Sequence, residues 1–159
     1  MPTVFSQIRT LLDTNGVPYD LREHPPVYTS PDAAAARGCE LRQGAKSLVL
    51  HVDKERYILA VISAARQADF EKLRQHLGAK KVRLCTPDEA FKVTGCTVGS
   101  VPPFGNLLNL PTYVDPSLSE NEIIAFNPGS HSHSILMRYD DYARLAQPEV
   151  VSFAKAAVS

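Results

Sequence analysis

Two loops hold the residues best suited to chemistry in this sequence: Gly99-Ser100-Val101-Pro102-Pro103-Phe104-Gly105 and Phe126-Asn127-Pro128-Gly129-Ser130-His131. In each, glycine lets backbone N–H groups turn toward a ligand and proline holds them there. Amides positioned in this way stabilise the oxyanion that develops during acyl transfer. Tight surface turns have the same composition, so the meaning of the loops depends on what converges on them. Lys46 is the next candidate. It opens an apolar stretch and shares a strand face with Leu48 and Leu50. Partial burial of an ammonium there costs free energy unless an anion or carbonyl groups meet it. It is either a cation at a pocket rim, ready for a phosphate or a polarised carbonyl, or a strand-end lysine that reaches water.

Other chemistries find less support. His131 and His133 stand two apart and would share a face on a strand, but a zinc site needs a third ligand from His24, His51, His76 or distant acids. No HExxH or CxxC spacing is present, so neither a metal nor any other cofactor is expected. Ser100, Ser130 or a cysteine could pair with His131 as a nucleophile, yet the Gly-x-Ser-x-Gly elbow is missing. Rossmann and P-loop fingerprints are absent as well. Cys39, Cys85 and Cys96 are widely and irregularly spaced, which argues against a disulfide framework and for reduced, mostly buried thiols.

The elements that must position these residues follow from periodicity and caps. Val4, Ile8, Leu11 and Leu12 predict a helix over residues 3–15, stopped at Asn15-Gly16. A short strand is expected at Tyr19–Glu23. Ser30 as N-cap, Pro31 at the first helical position and the four alanines after Asp32 predict a short helix that Gly38 ends. Residues 45–52 and 56–63 are apolar on both faces and joined by Asp53-Lys54-Glu55, which reads as a central hairpin covered on both sides. Phe70, Leu73 and Leu77 mark a helix closed by Gly78, and Lys81 to Cys85 returns as a strand. Thr86-Pro87-Asp88-Glu89 is a capping box that opens a helix to about Thr94. Strands follow near Pro111–Val114, at Glu122–Phe126 and at Ser132–Arg138. Two closing helices are expected, Asp140–Ala146 and Glu149–Ala157, parted by Pro148. The fold class is α/β, one domain over residues 1–159, with a mixed, mostly antiparallel sheet surrounded by helices.

At 159 residues such a domain buries roughly 70% of its unfolded surface. Its 44% hydrophobic and 21% charged residues are ordinary for a globular protein. No apolar run approaches the ~18 residues of a membrane span, and the N-terminus lacks the pattern of a signal peptide. A cytoplasmic protein without a membrane partner is expected. The formal net charge is zero, unlike a non-specific nucleic-acid binder. Arg37, Arg42 and Lys46 could meet a few phosphates, while Lys80, Lys81 and Arg83 read as a solvated face.

Four segments in order, His24-Pro25-Pro26-Val27-Tyr28-Thr29, Gly44-Ala45-Lys46-Ser47 and the two glycine loops, carry a resemblance that spans about residues 5–155. The chain resembles the YbaK/prolyl-tRNA-synthetase-associated family of trans-editing aminoacyl-tRNA deacylases. The resemblance implies a single α/β domain that hydrolyses the ester between a wrong amino acid and the 3′ adenosine of a tRNA. It implies catalytic roles for Lys46 and for the loop residues Gly99, Ser100 and Val101. Substrate contacts are implied for His24, Tyr28, Thr29, Ser47, Pro102, Pro103, Phe104, Gly129, Ser130 and His131. Ser47 is a departure, since some members that clear alanine carry asparagine there; it bears on the amino acid rather than on the ester chemistry. The implied partners are the acceptor end of aminoacyl-tRNA and, in some settings, a synthetase. A non-catalytic module that holds a tRNA end or a synthetase fits the same residues. A small-ester hydrolase built on a Ser/His pair is a third reading.

Overall fold

The computed structural model describes residues 3–156. Helix α1, Val4–Thr14, starts at Thr3, whose hydroxyl accepts from the Ser6 amide at 3.1 Å, and it buries Ile8 and Leu12. Helix α2, Ser30–Arg37, is capped by Thr29, one residue before the expected position, because the Thr29 hydroxyl accepts from Asp32 N at 3.2 Å. Its other end is Gly38 at φ +69°, a left-handed cap that costs other residues strain. Helices α3, Phe70–Leu77, and α4, Pro87–Thr94, follow, the latter with the complete Thr86/Glu89 capping box.

The strands are β1 (Tyr19–Glu23), β2 (Ala45–Val52), β3 (Arg56–Ser63), β4 (Val82–Leu84), β5 (Thr112–Val114), β6 (Ile123–Phe126), β7 (His133–Arg138) and β8 (Glu149–Val150). They form two sheets rather than one. A three-stranded antiparallel sheet runs β1-β7-β6, and a five-stranded mixed sheet runs β4-β2-β3-β5-β8 with the parallel pairs β3-β5 and β5-β8. A single parallel bridge, Gly44 to Ala125, links the two just before Lys46. The central β2-β3 hairpin is covered on both faces, as its apolar pattern requires. Val49, Leu59 and Val61 face one cluster with Ile8, Phe104, Phe126, Ile135 and Tyr142. Leu50, Ile58, Ala60 and Ile62 face a second with Leu73 and Phe153.

One expected helix is absent. After α6, Tyr139–Ala146, residues Glu149 and Val150 pair in parallel with β5, and the chain runs on to residue 156 without a helix, Ala154 bridging to Ala68. Ala157, the expected end of that helix, lies outside the described residues. The competing force is a buried carboxylate. Asp115, at the start of the short helix α5 (Pro116–Ser119), accepts from the amides of Phe153 at 2.8 Å and Ala154 at 3.0 Å. Phe153 is thereby fully buried in the second cluster, and the β-branched Val150 and Val151 before it favour strand over helix. Arg83 also departs from a solvated face: it forks onto Glu89 through two 2.8 Å contacts.

Candidate active site

The amino end of α2, the start of β2 and the Gly99 loop line a cavity of about 220 Å³. Of the expected site residues, Tyr28, Thr29, Lys46, Ser47, Gly99 and Val101 line it. Gly44, Ala64, Val98, Arg37 and Asn127 complete much of the wall.

Lys46 reaches this wall because β2 begins where the Gly44–Ala125 bridge ends, with Lys46 paired to Ile62 across the hairpin. Its Nζ donates to the Arg66 carbonyl at 3.3 Å, and burial pushes its pKa below the usual lysine range. Ser47 carries the one buried side-chain polar atom without a partner among the described residues, its Oγ.

The Gly99 loop is set by its own hydrogen bonds. Gly99 sits at φ +89°, a region that side chains avoid. Its carbonyl accepts from Asn127 Nδ2 at 2.9 Å. Ser100 is almost fully buried, with its amide (3.0 Å) and its hydroxyl (2.8 Å) both donating to the Thr97 carbonyl. That removes the Ser100 N–H from the free donors. Among the described residues the amides of Gly99 and Val101 donate to no protein acceptor, so these two remain for a ligand.

Arg37, expected only as a cation that could meet a phosphate, is a buried wall residue. It ends α2, is 6% exposed, and donates through Nε to Ser134 Oγ and through a terminal nitrogen to Asn127 Oδ1, both at 2.8 Å. Arg37 therefore holds Asn127, and Asn127 holds Gly99. The only sequence signal was its place one turn beyond Ala33 and Ala34 on the buried face of α2. Burial lowers the Arg37 pKa as well. Neither Arg37 nor Lys46 has an ion-pair partner among the described residues, and no acidic residue lines the cavity. A cavity with two cations, two free amides and no carboxylate favours negative charge.

The other expected residues stand behind this wall. His24 bonds Ser134 Oγ through Nε2 at 2.8 Å. Pro102, Pro103 and Phe104 are buried; the Pro103 carbonyl accepts from Tyr142 Oη at 2.9 Å, and the Phe104 ring packs edge-on against Phe126 and Tyr142. Gly129 donates to the Ser100 carbonyl at 2.8 Å, tying the two glycine loops together. Ser130 Oγ bonds His133 Nδ1 at 2.9 Å. His131 lies beneath Tyr28, with ring centroids 4.7 Å apart. Its Nδ1 sits 3.1 Å from the Val27 carbonyl, which only accepts, so Nδ1 carries a proton and Nε2 meets Thr97 Oγ1 at 2.7 Å. His131 precedes β7, so it does not share a strand face with His133.

Comparison with known proteins gives this arrangement relatives. The family described as aminoacyl-tRNA editing domain matches residues 24–145. The multifunctional Ser/Thr-tRNA deacylase ProXp-y of Escherichia coli (strain K12) is 36% identical over 151 residues, 92% of this chain and 90% of that protein. The prolyl-tRNA editing protein ProX of Acetoanaerobium sticklandii is 26% identical over 141 residues, 86% of each. A crystal structure of a candidate trans-editing enzyme for prolyl tRNA synthetase superposes with a TM-score of 0.84 at 26% identity, covering 98% of this chain and 99% of that one.

Proposed function

Since the chain belongs to the aminoacyl-tRNA editing domain family, we propose that it hydrolyses the ester joining a mischarged amino acid to the 3′ end of a tRNA. The observation that carries this reading is the pair of unengaged amides at Gly99 and Val101, which line the same acid-free cavity as Lys46. Water adds to the ester carbonyl carbon, and negative charge develops on its oxygen. The two amides receive that charge and the Lys46 ammonium stabilises it further. The ester bond then breaks, the 3′ oxygen takes a proton, and free amino acid leaves. An activated ester needs positioning more than a strong base. The neighbouring ribose hydroxyl orients the water, which accounts for a cavity with no carboxylate or imidazole in its lining.

A cavity of about 220 Å³ suits a small aminoacyl group, and the E. coli relative is named for serine and threonine. Serine and threonine are therefore the first substrates to test, with alanine as the smaller competitor. A tRNA substrate supports the reading of a cytoplasmic protein that works as one editing domain. The neutral net charge fits an enzyme that engages only the acceptor end, where few phosphates are met. The rival is a non-catalytic module that holds a tRNA end or a synthetase.

Catalytic amounts of protein incubated with alanyl-, seryl-, threonyl- and cysteinyl-tRNA decide between them. The expected result is multiple-turnover ester loss, fastest with seryl- or threonyl-tRNA. Tight binding of all four without ester loss beyond the spontaneous rate would establish the non-catalytic module.

A further inference from the structure

Tyr28 is 74% exposed, the most open large hydrophobic side chain among the described residues, and it stands at the mouth of the cavity. Of the described tyrosine and phenylalanine side chains only Tyr28 and Phe91 are exposed, and of these only Tyr28 lines the cavity. It is also held in place. One face lies on His131, tilted by 35°. His131 is itself fixed by the Val27 carbonyl and Thr97 Oγ1. The backbone is pinned on both sides, by the Val27 amide bonding the His131 carbonyl at 3.0 Å and by Thr29 capping α2. Beneath this pile, a Cβ on Gly99 would lie 3.4 Å from His131 Cε1. Tyr28, His131 and Gly99 thus form a continuous stack whose base is the loop with the free amide and whose top is an open, pre-oriented ring.

We infer that Tyr28 is the stacking platform for the base of the nucleoside that carries the ester. The inference rests on the deacylase reading. A planar base is the ligand chemistry that an exposed, rigid aromatic face recognises, and stacking tolerates any base because every base has a π-face. With a base on the outer face of Tyr28, the ribose runs down the edge of the stack along the cavity that Tyr28 shares with Gly99 and Val101, which brings the ester carbonyl toward their amides. Substrate binding and oxyanion stabilisation would then share one mechanical support.

The test uses two non-hydrolysable ligands: 3′-deoxy-3′-(L-serylamino)adenosine, and the same serylamide on a methyl riboside that lacks the base. Both are titrated calorimetrically into wild type, Tyr28→Phe and Tyr28→Ala. The base should strengthen binding to wild type roughly tenfold or more. Tyr28→Phe should keep that advantage and Tyr28→Ala should lose it, so that the two ligands bind alike. Tyr28→Ala that retains the advantage overturns the platform, as does wild type that binds both ligands equally. Equal weakening of both ligands in Tyr28→Ala also overturns it, by showing that the ring meets the aminoacyl group. The deacylase reading fails separately: a wild type that shows the base effect yet never turns over seryl-tRNA keeps the platform and loses the enzyme.

Discussion

Lys46 and Arg37 reach one cavity from different elements, and both are cations held without an anion. For Arg37 the cost is met by neutral acceptors, Ser134 and Asn127. Among the described residues Lys46 has a single acceptor, the Arg66 carbonyl, which leaves its remaining donors for substrate. Lys46→Ala should therefore leave the melting temperature nearly unchanged while removing about 2–4 kcal/mol of transition-state stabilisation, roughly 30- to 1,000-fold in single-turnover rate. Burial lowers the Lys46 pKa, so its charge is lost at a lower pH than the ordinary value of about 10.4. The enzyme-dependent rate should fall on the alkaline side below that value, and Lys46→Arg should move the fall upward. A profile unaffected by the arginine would show that the falling limb belongs to another group. Lys46 was legible in the sequence because a charge stood inside an apolar run. The burial of Arg37 and its bond to Asn127 were not, because charged residues at helix ends are ordinarily solvated.

At the scale of elements, the site is where α2, the start of β2 and two glycine loops meet, and hydrogen bonds across long sequence separations hold them. Asn127 Nδ2 to the Gly99 carbonyl spans 28 residues and Arg37 to Asn127 spans 90. Asn127→Ala should destabilise the fold by about 2–3 kcal/mol, since it leaves a buried cation and a carbonyl short of partners. Asn127→Asp separates the two roles. It keeps an acceptor for Arg37 but loses the donor to Gly99, so stability should survive while the single-turnover rate drops at least tenfold. Thermal melts beside rate measurements on both variants check this; an Asn127→Asp variant with full activity would free the loop from that bond. The local elements were readable because caps and glycine stops are short-range signals: Thr86/Glu89, Gly38 and Gly78 fall at helix ends as expected. Which loop amides stay free was not readable. The Ser100 amide is consumed by Thr97, a turn whose geometry depends on tertiary contacts.

For the whole molecule, the C-terminal segment closes the second core, and Asp115 is its clasp. Burial pushes the Asp115 pKa up, but the amides of Ser117, Phe153 and Ala154 outweigh it and hold the group below its ordinary range. A depressed aspartate contributes stability above its unfolded pKa and loses it as pH falls through the folded one. Wild-type stability should therefore decline from about pH 4 downward, and Asp115→Asn should be less stable at neutral pH but flatter across that window in denaturant titrations. The same clasp explains why the sequence pattern over Glu149–Ala157 misled: helical spacing was present locally, and the partner that overrode it lay 38 residues away. Two sheets were likewise folded into one expectation, because strand content is local and sheet membership is not.

The central claim is that the chemistry resides in backbone amides rather than in a serine. Single-turnover deacylation of seryl-tRNA by Ser100→Ala and Gly99→Val, with circular dichroism as the folding control, tests it most directly. Ser100→Ala should keep most of the wild-type rate, since its hydroxyl donates to the Thr97 carbonyl. Gly99→Val should lose on the order of 10²-fold or more, because a β-branched residue resists φ +89° and its side chain crowds His131. A folded but inactive Ser100→Ala beside an active Gly99→Val would contradict the account and place the reaction on the serine.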